Sequence, residues 1–427
     1  WIKDKIYEME RRRKYYMTKE RRVLNVVQFI TLYSTVALLI AAGLIVACAM
    51  TSCSLIDEDT AGCPATETAG TPGSAIAFDT EGTVLSVYSG DSTARATTRT
   101  AQGTMTLDGT GANEQSLRAK GFGVFACHTG VHPYVSISTR SNLMWNQLVT
   151  YDNTTATWTY SPLVYWPNSD EDVPEYVTFF AYAPHSENAN GCIADMSNAD
   201  DVGDPWIVYQ LGGSEEADGA NGWKAQQVDL LYDFRKDQKR EVPPASSGKV
   251  SFSFKHALAS IGDRITVSCG QSIANKMVQH YSDKTLTFVL DSLTLDYVLT
   301  RKGRLTLNAG SEPNWEAVES GDPTVTRRLV LTPNQVMASA ASASYCNTYE
   351  YQTEAGQGVF YIPIESVRDK QRVGLRAKCR VLDADDGELW TGTITASTDI
   401  TTGADASRTR NLHVELHLPD SEWPVVP

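Results

Sequence analysis

Short runs of β-branched and aromatic residues recur along the body of this chain, each closed by turn-forming residues, and no long amphipathic helical stretch interrupts them. In the first half they fall at 122–127, 134–138, 148–151, 157–160, 176–182 and 228–232. Doubly wound folds need a helical pattern of roughly 10–15 residues between strands, so α/β architectures are excluded and an all-β sandwich is predicted. The 19 Tyr and 9 Trp agree, because aromatic side chains fit a pleated, half-buried surface. Residues 256–261 have helical propensity, but for one or two turns only.

A chain of 427 residues is too long for one ordinary core and fits two domains plus a targeting segment. Residues 235–248 are charged and then rich in Pro and Ser, which marks a domain boundary or a long surface loop. The predicted division is therefore 75–246 and 247–427. Ten further strand candidates after 249 suffice for the second sandwich, the last of them running from Leu412 to Leu418. Ahead of the first, 64–74 is rich in Thr, Gly, Ser and Pro, and reads as a tether with too little apolar content to pack.

The first 52 residues are an address. Residues 1–22 carry nine Lys or Arg against four acids, a local net of +5, and 23–52 carry no charge. The almost wholly apolar run 23–50 behind that basic flank is a signal peptide, with an uncleaved membrane helix as the alternative; either places the body outside the cytoplasm. Small residues precede two cysteines, Ile45-Val46-Ala47-Cys48 and Thr51-Ser52-Cys53, as a lipoprotein signal peptidase requires. Cys53 is the favoured lipidation site and Cys48 the alternative, giving a leader at 1–52 and a lipidated tether at 53–74. Two or more acyl chains hold a protein firmly on a bilayer.

With +5 at the N-terminus and −14 for the whole chain, the remainder carries −19. A body that acidic repels nucleic acid, which is excluded as a partner.

Catalytic and metal chemistry is not encoded by any recognisable pattern. There is no H-E-x-x-H, G-x-S-x-G, phosphate-binding loop or dinucleotide fingerprint, and the eight cysteines show no C-x-x-C spacing. No cofactor is expected and the chain is read as a non-enzyme. His413 and His417 flank Glu415, but on a strand residues four apart sit about 13 Å from each other and cannot share a zinc. Asp383-Ala384-Asp385-Asp386-Gly387-Glu388 has a calcium-loop look, yet lacks the twelve-residue spacing and fits a hairpin turn better. His256 has no identifiable catalytic partner and is read as a packed structural histidine. Trp145, Trp158 and Trp166 could stack on sugars, but aromatics at strand spacing are usually core.

Several strings taken together resemble the fimbrillin family of Bacteroidetes surface lipoproteins. They are Ala94-Arg95-Ala96-Thr97-Thr98-Arg99, Gly121-Phe122-Gly123-Val124-Phe125-Ala126, residues 142–149, Trp158-Thr159-Tyr160-Ser161-Pro162, Tyr165-Trp166-Pro167-Asn168, Val177-Thr178-Phe179-Phe180-Ala181-Tyr182-Ala183-Pro184, Val228-Asp229-Leu230-Leu231-Tyr232 and Val250-Ser251-Phe252-Ser253-Phe254-Lys255-His256-Ala257-Leu258-Ala259. Cys53-Ser54-Leu55-Ile56-Asp57-Glu58-Asp59 also resembles the surface-export signal of those lipoproteins and the start of pilus anchor proteins.

The resemblance implies two tandem transthyretin-like (Greek-key) β-sandwich domains, export as a lipoprotein to the surface of the outer membrane, and a structural or adhesive role as a pilus subunit or tip component. Polymerisation by strand exchange is implied with it. The removable first strand would lie in 75–88, the protease cut would follow Arg95 or Arg99, and the donor strand would present Leu412, Val414, Leu416 and Leu418. Partners implied are other pilus subunits, the outer membrane through the lipid, and host or bacterial surface glycans or proteins. The competing reading is a non-polymerising pilus anchor or a glycan-binding surface lipoprotein.

Overall fold

The computed structural model of the chain describes residues 75–80, 104–110, 114–167, 175–240, 249–281, 286–308, 313–318, 324–340, 342–352, 358–364, 371–383, 385, 387–400 and 409–417. In chain order the strands are β1 (Ala77–Thr80), β2 (Thr104–Thr106), β3 (Glu114–Ser116), β4 (Phe122–Gly130), β5 (Met144–Asp152), β6 (Thr157–Thr159), β7 (Tyr176–Ala183), β8 (Ile193–Met196), β9 (Trp206–Gln210), β10 (Leu231–Gln238), β11 (Lys249–Phe252) and β12 (Lys255–His256). They continue with β13 (Ala259–Cys269), β14 (Thr287–Thr300), β15 (Lys302–Thr306), β16 (Asn314–Ala317), β17 (Thr324–Leu331), β18 (Gln335–Ser339), β19 (Ser342–Cys346), β20 (Thr348–Gln352), β21 (Val359–Tyr361), β22 (Arg372–Leu382), β23 (Glu388–Asp399) and β24 (Thr409–Leu416). Three helices are short: α1 (Leu117–Lys120), α2 (Trp223–Gln226) and α3 (Gln271–Tyr281). The all-β expectation holds.

A six-stranded antiparallel sheet, ordered β12-β10-β7-β4-β5-β6, is the middle layer of the first half. Its central strands β4 and β7 are buried at every position over 122–127 and 177–183, because both of their faces are covered there. Phe122, Val124, Phe179 and Ala181 face one core, which β1 and β11 close from the other side. Phe125, Cys127, Phe180 and Tyr182 face a second, larger core. That larger core continues through Tyr209 and Trp223 into Leu293, Leu295, Tyr297 and Phe360.

In the second half, β19-β18-β14-β22-β23 with β17 beside β14 forms one sheet, and β20, β21 and β24 gather around β13 to form another. β8 and β9 pair through β9 with β15, so one four-stranded sheet joins strands from both sides of residue 246. β11 and β12, which follow 246, pair with β1 and β10, which precede it. All described residues fall within 71–427. The division at 246/247 stands as a proposal, and these crossing strands are where it would be tested.

Three local expectations are corrected. Residues 134–138 form a loop with a single 3-10 turn at Ser136–Ser138, because Pro133 precedes it and only Tyr134 is buried; Val135 and Ile137 point into solvent. Residues 256–261 are extended, since His256 pairs with Leu231 on β10 and Ala259, Ser260 and Ile261 pair with β21. Ladder pairing overrides a weak helical preference there. α3 was not anticipated; it docks Ile273, Ala274 and Met277 into the large core, and that burial rather than propensity holds an eleven-residue helix.

Candidate functional site

The first described strand occupies a slot in the smaller core. β1 runs parallel to β11 with Ala77, Phe78, Asp79 and Thr80 opposite Lys249, Val250, Ser251 and Phe252. On its other side the Ile76 N–H donates to the Val164 carbonyl at 2.9 Å, and Ala75 bridges Tyr165. The strand period of two sends Ile76 and Phe78 inward, where they are 1% and 2% exposed, while Asp79 pairs outward with Lys249 at 3.7 Å.

Aromatic rings line the slot. The Phe78 ring lies 5.3 Å from Tyr160, 5.8 Å from Phe179, 5.8 Å from Phe252 and 6.3 Å from Phe122, mostly edge-on or tilted. Two polar aromatic tips tie the strand's backbone and end. Tyr160 donates its hydroxyl to the carbonyl of Ile76 at 2.8 Å, and the Trp158 indole N–H donates to the Thr80 hydroxyl at 3.3 Å. Burial pushes the Tyr160 phenol above its ordinary value, so it stays a donor. Without β1, the β11 edge and the Val164 carbonyl would lose their ladder partners and the core two large side chains.

The expected donor residues Leu412, Val414 and Leu416 lie on β24, parallel to β13, with Leu412 opposite Ile265 and Leu416 opposite Cys269. They alternate with exposed Asn411, His413 and Glu415, so the apolar set shares one face against the large core. Leu416 is fully buried, and Leu412 and Val414 are half-buried. β1 and β24 thus each lie parallel to their partner strand. Cys48, Cys53, Arg95, Arg99 and Leu418 lie outside the described residues, so the lipidation and cleavage expectations concern segments not described.

Other candidates resolve into structural roles. His413, Glu415 and His417 share the exposed face of β24, with the His417 ring 3.6 Å from Glu415, and no group of three metal-capable side chains converges among the described residues. In the acidic hairpin between β22 and β23, the Asp383 carboxylate accepts from the backbone N–H of Asp385 and Gly387 at 3.0 and 2.7 Å, capping its own turn. His256 is buried with its Nδ1 2.5 Å from the Asp229 carboxylate, which also accepts from the Met105 and Leu230 N–H groups. Trp158 and Trp166 are core residues, whereas Trp145 is 45% exposed with its indole N–H fixed on the Ser197 carbonyl at 2.8 Å. The core reading thus holds for Trp158 and Trp166 and not for Trp145, and the three do not form one surface.

Two features gave no usable sequence signal. Arg327 on β17 is fully buried; it donates to the Gly212 carbonyl at 2.6 Å and to the Gln227 side-chain oxygen at 3.3 Å, and lies over the Trp223 ring at 5.8 Å. All three partners belong to the segment 211–227, so one guanidinium fastens that segment to β17. Desolvation pulls its pKa down to about 10. The side chains of Cys127, Cys192, Cys269 and Cys379 are buried. Among the described residues, no helix is long and apolar enough to cross a membrane.

Comparison with known proteins gives two findings. The sequence profile of a family described as fimbrillin-like matches residues 110–365. Among solved structures, the chain is similar to a crystal structure of a candidate cell adhesion protein from Bacteroides uniformis, at 12% identity and a TM-score of 0.29, covering 66% of this chain and 92% of that one. No curated protein gives a match.

Proposed function

The chain belongs to the fimbrillin-like family, and from that premise we propose that it is a structural or adhesive subunit, stalk or tip, of a surface pilus, exported as a lipoprotein on Cys53 (or Cys48) to the outer membrane and assembled by strand exchange. Tandem transthyretin-like sandwiches divided at 246/247 are part of the same proposal.

The observation that carries it is the seating of β1. A strand held in a slot, parallel to β11, by two buried side chains and a few backbone bonds is a replaceable part once the chain behind it is cut. The proposed cut follows Arg95 or Arg99, between β1 and β2, and would separate β1 covalently from everything it packs against. The vacated slot would expose ladder groups and an aromatic pocket, both of which a foreign strand with alternating apolar residues satisfies. β24, continued to Leu418, has that alternation, and its parallel pairing with β13 matches the sense of the β1 pairing with β11. To donate, β24 must leave β13, which strands one fully buried and two half-buried side chains. The role needs no catalytic site, and none is proposed.

An Arg-specific protease applied to the purified body, followed by intact mass and sedimentation, tests the reading. Loss of the β1 fragment with ladder-forming multimers is expected. A body that is cut and remains monomeric would remove the polymerising role, and an uncut, lipid-retaining body would favour the pilus anchor instead. The glycan-binding alternative now rests on Trp145 alone.

A further inference from the structure

The longest outer strand of the molecule is open. β23 spans twelve residues, about 40 Å when extended. It pairs on one side with β22, without a register shift from Trp390 opposite Val381 to Asp399 opposite Arg372. Among the described residues no strand pairs with its other side. Proteins commonly shield such an edge with lysine, proline, a bulge or brevity. Several other outer strands use these devices: β6 has three residues, β12 two, β8 and β16 four each, and β24 carries His413 and Glu415. Beyond a single register shift at Leu389, β23 uses none over Trp390-Thr391-Gly392-Thr393-Ile394-Thr395-Ala396-Ser397-Thr398, which holds no charge and no proline in a chain of net charge −14. Its one glycine is flattened over, since a Cβ on Gly392 would fall inside the Trp390 ring.

We infer that this edge is an interface between two copies of the chain, joined by antiparallel β23–β23 pairing about a two-fold axis at Ile394. The strand is self-complementary in that register. Thr391 faces Ser397 and Thr393 faces Thr395 on the outer side, giving hydroxyl pairs directly across the ladder. On the inner side Ile394 meets its own copy and Gly392 meets Ala396. The terminal acids do not oppose each other, because Asp399 falls opposite Leu389 and Glu388 opposite Ile400. The edge itself is uncharged, and the basic residues beside it, Arg380, Lys378 and Arg376, stand one strand back on β22 with Arg380 paired to Asp291 and Arg376 to Asp296, so the contact sets no like charges directly across the ladder. An unrelated strand would satisfy the backbone groups equally but would not explain the symmetric side-chain ladder. A closed two-fold contact of this kind is isologous, so it links chains in pairs and does not by itself extend a fibre.

The test uses the full, uncleaved chain in detergent, so its outcome is independent of Arg cleavage and of strand donation by β24. Sedimentation should show a reversible monomer–dimer equilibrium. The double variant Thr393→Lys and Thr395→Lys, whose side chains point outward, should weaken it at least about tenfold by setting lysine opposite lysine twice. Its denaturation midpoint should fall only modestly, because Lys378 and Arg376 on β22 stand opposite the two positions within the same chain, and the variant is compared as a folded monomer. Ile394→Cys should form a covalent dimer under mild oxidation, since the position faces itself, and Thr391→Cys should not. A parent chain that stays monomeric up to its solubility limit overturns the inference, as does a dimer indifferent to the lysines or a cross-link through position 391 in place of 394.

Discussion

Replacing Phe78 by alanine empties the centre of the β1 slot, and the structure sets the size of the effect. The ring is 2% exposed and bounded by four other rings carried on β4, β7, β11 and the stretch after β6. These rings are held by separate strands and cannot all move inward, so the cavity stays largely open and the cost belongs at the upper part of the usual range for a buried phenylalanine, about 3–5 kcal/mol. Asp79→Ala is the matched control on the same strand. Its partner Lys249 is 3.7 Å away and both side chains are well exposed, so at most about 1 kcal/mol is lost. Urea denaturation followed by tryptophan fluorescence reads this core, because Trp158 and Trp166 are buried within it. After cleavage between β1 and β2, the same deficit should raise the fraction of chains that have lost β1 by roughly two to three orders of magnitude. A Phe78→Ala loss below about 1 kcal/mol, or one equal to that of Asp79→Ala, would mean that β1 does not depend on the slot, and the replaceable-strand argument would fail.

Arg327→Met should destabilise the protein by about 1–3 kcal/mol, since it strands the Gly212 carbonyl and leaves the Gln227 side-chain oxygen with the Phe360 N–H but without the guanidinium, while relieving a buried charge; Arg327→Lys should not restore the loss, and denaturation midpoints decide. His185 is held below the ordinary histidine pKa of 6.5 chiefly by burial, with Nε2–H donating to the Asn146 carbonyl at 3.3 Å. The unfolded chain therefore binds the extra proton just below pH 6.5 and the folded chain does not, so stability should fall as pH drops through that window, and His185→Gln should flatten the slope. Burial raises the thiols of Cys127 and Cys379 to about 12 and also raises that of Cys192. Peptide-level alkylation should leave these three and Cys269 unmodified in native protein and label them on unfolding; rapid native labelling would contradict the packing described.

Sequence pattern alone located the elements whose residues answer to local rules. The run 176–182 reads as a strand, and β7 is one; that both of its faces are covered came from the fold. The Asp-Gly turn in the acidic stretch was legible because its capping bonds are local. The alternation of Leu412, Val414 and Leu416 fixed one apolar face for β24 before any partner was known. Where a residue's role depends on a distant partner, the pattern gave the wrong element or none. Residues 134–138 have strand composition yet no ladder to join, and 256–261 have helical composition yet lie between β10 and β21.

What the sequence by itself determined, then, is the all-β class and the presence of strands with one apolar face, while the leader with its basic flank and two candidate cysteines stays an expectation of the sequence. These follow from the two-residue period of the strand and from composition, which act over a few neighbours. Tertiary structure alone decided that β1 sits between β11 and Val164, that Arg327 fastens 211–227, that strands cross residue 246, and that β23 is left at an edge. Each joins residues many tens of positions apart, and hydrophobic burial rewards any partner of suitable shape without writing its identity into the local sequence.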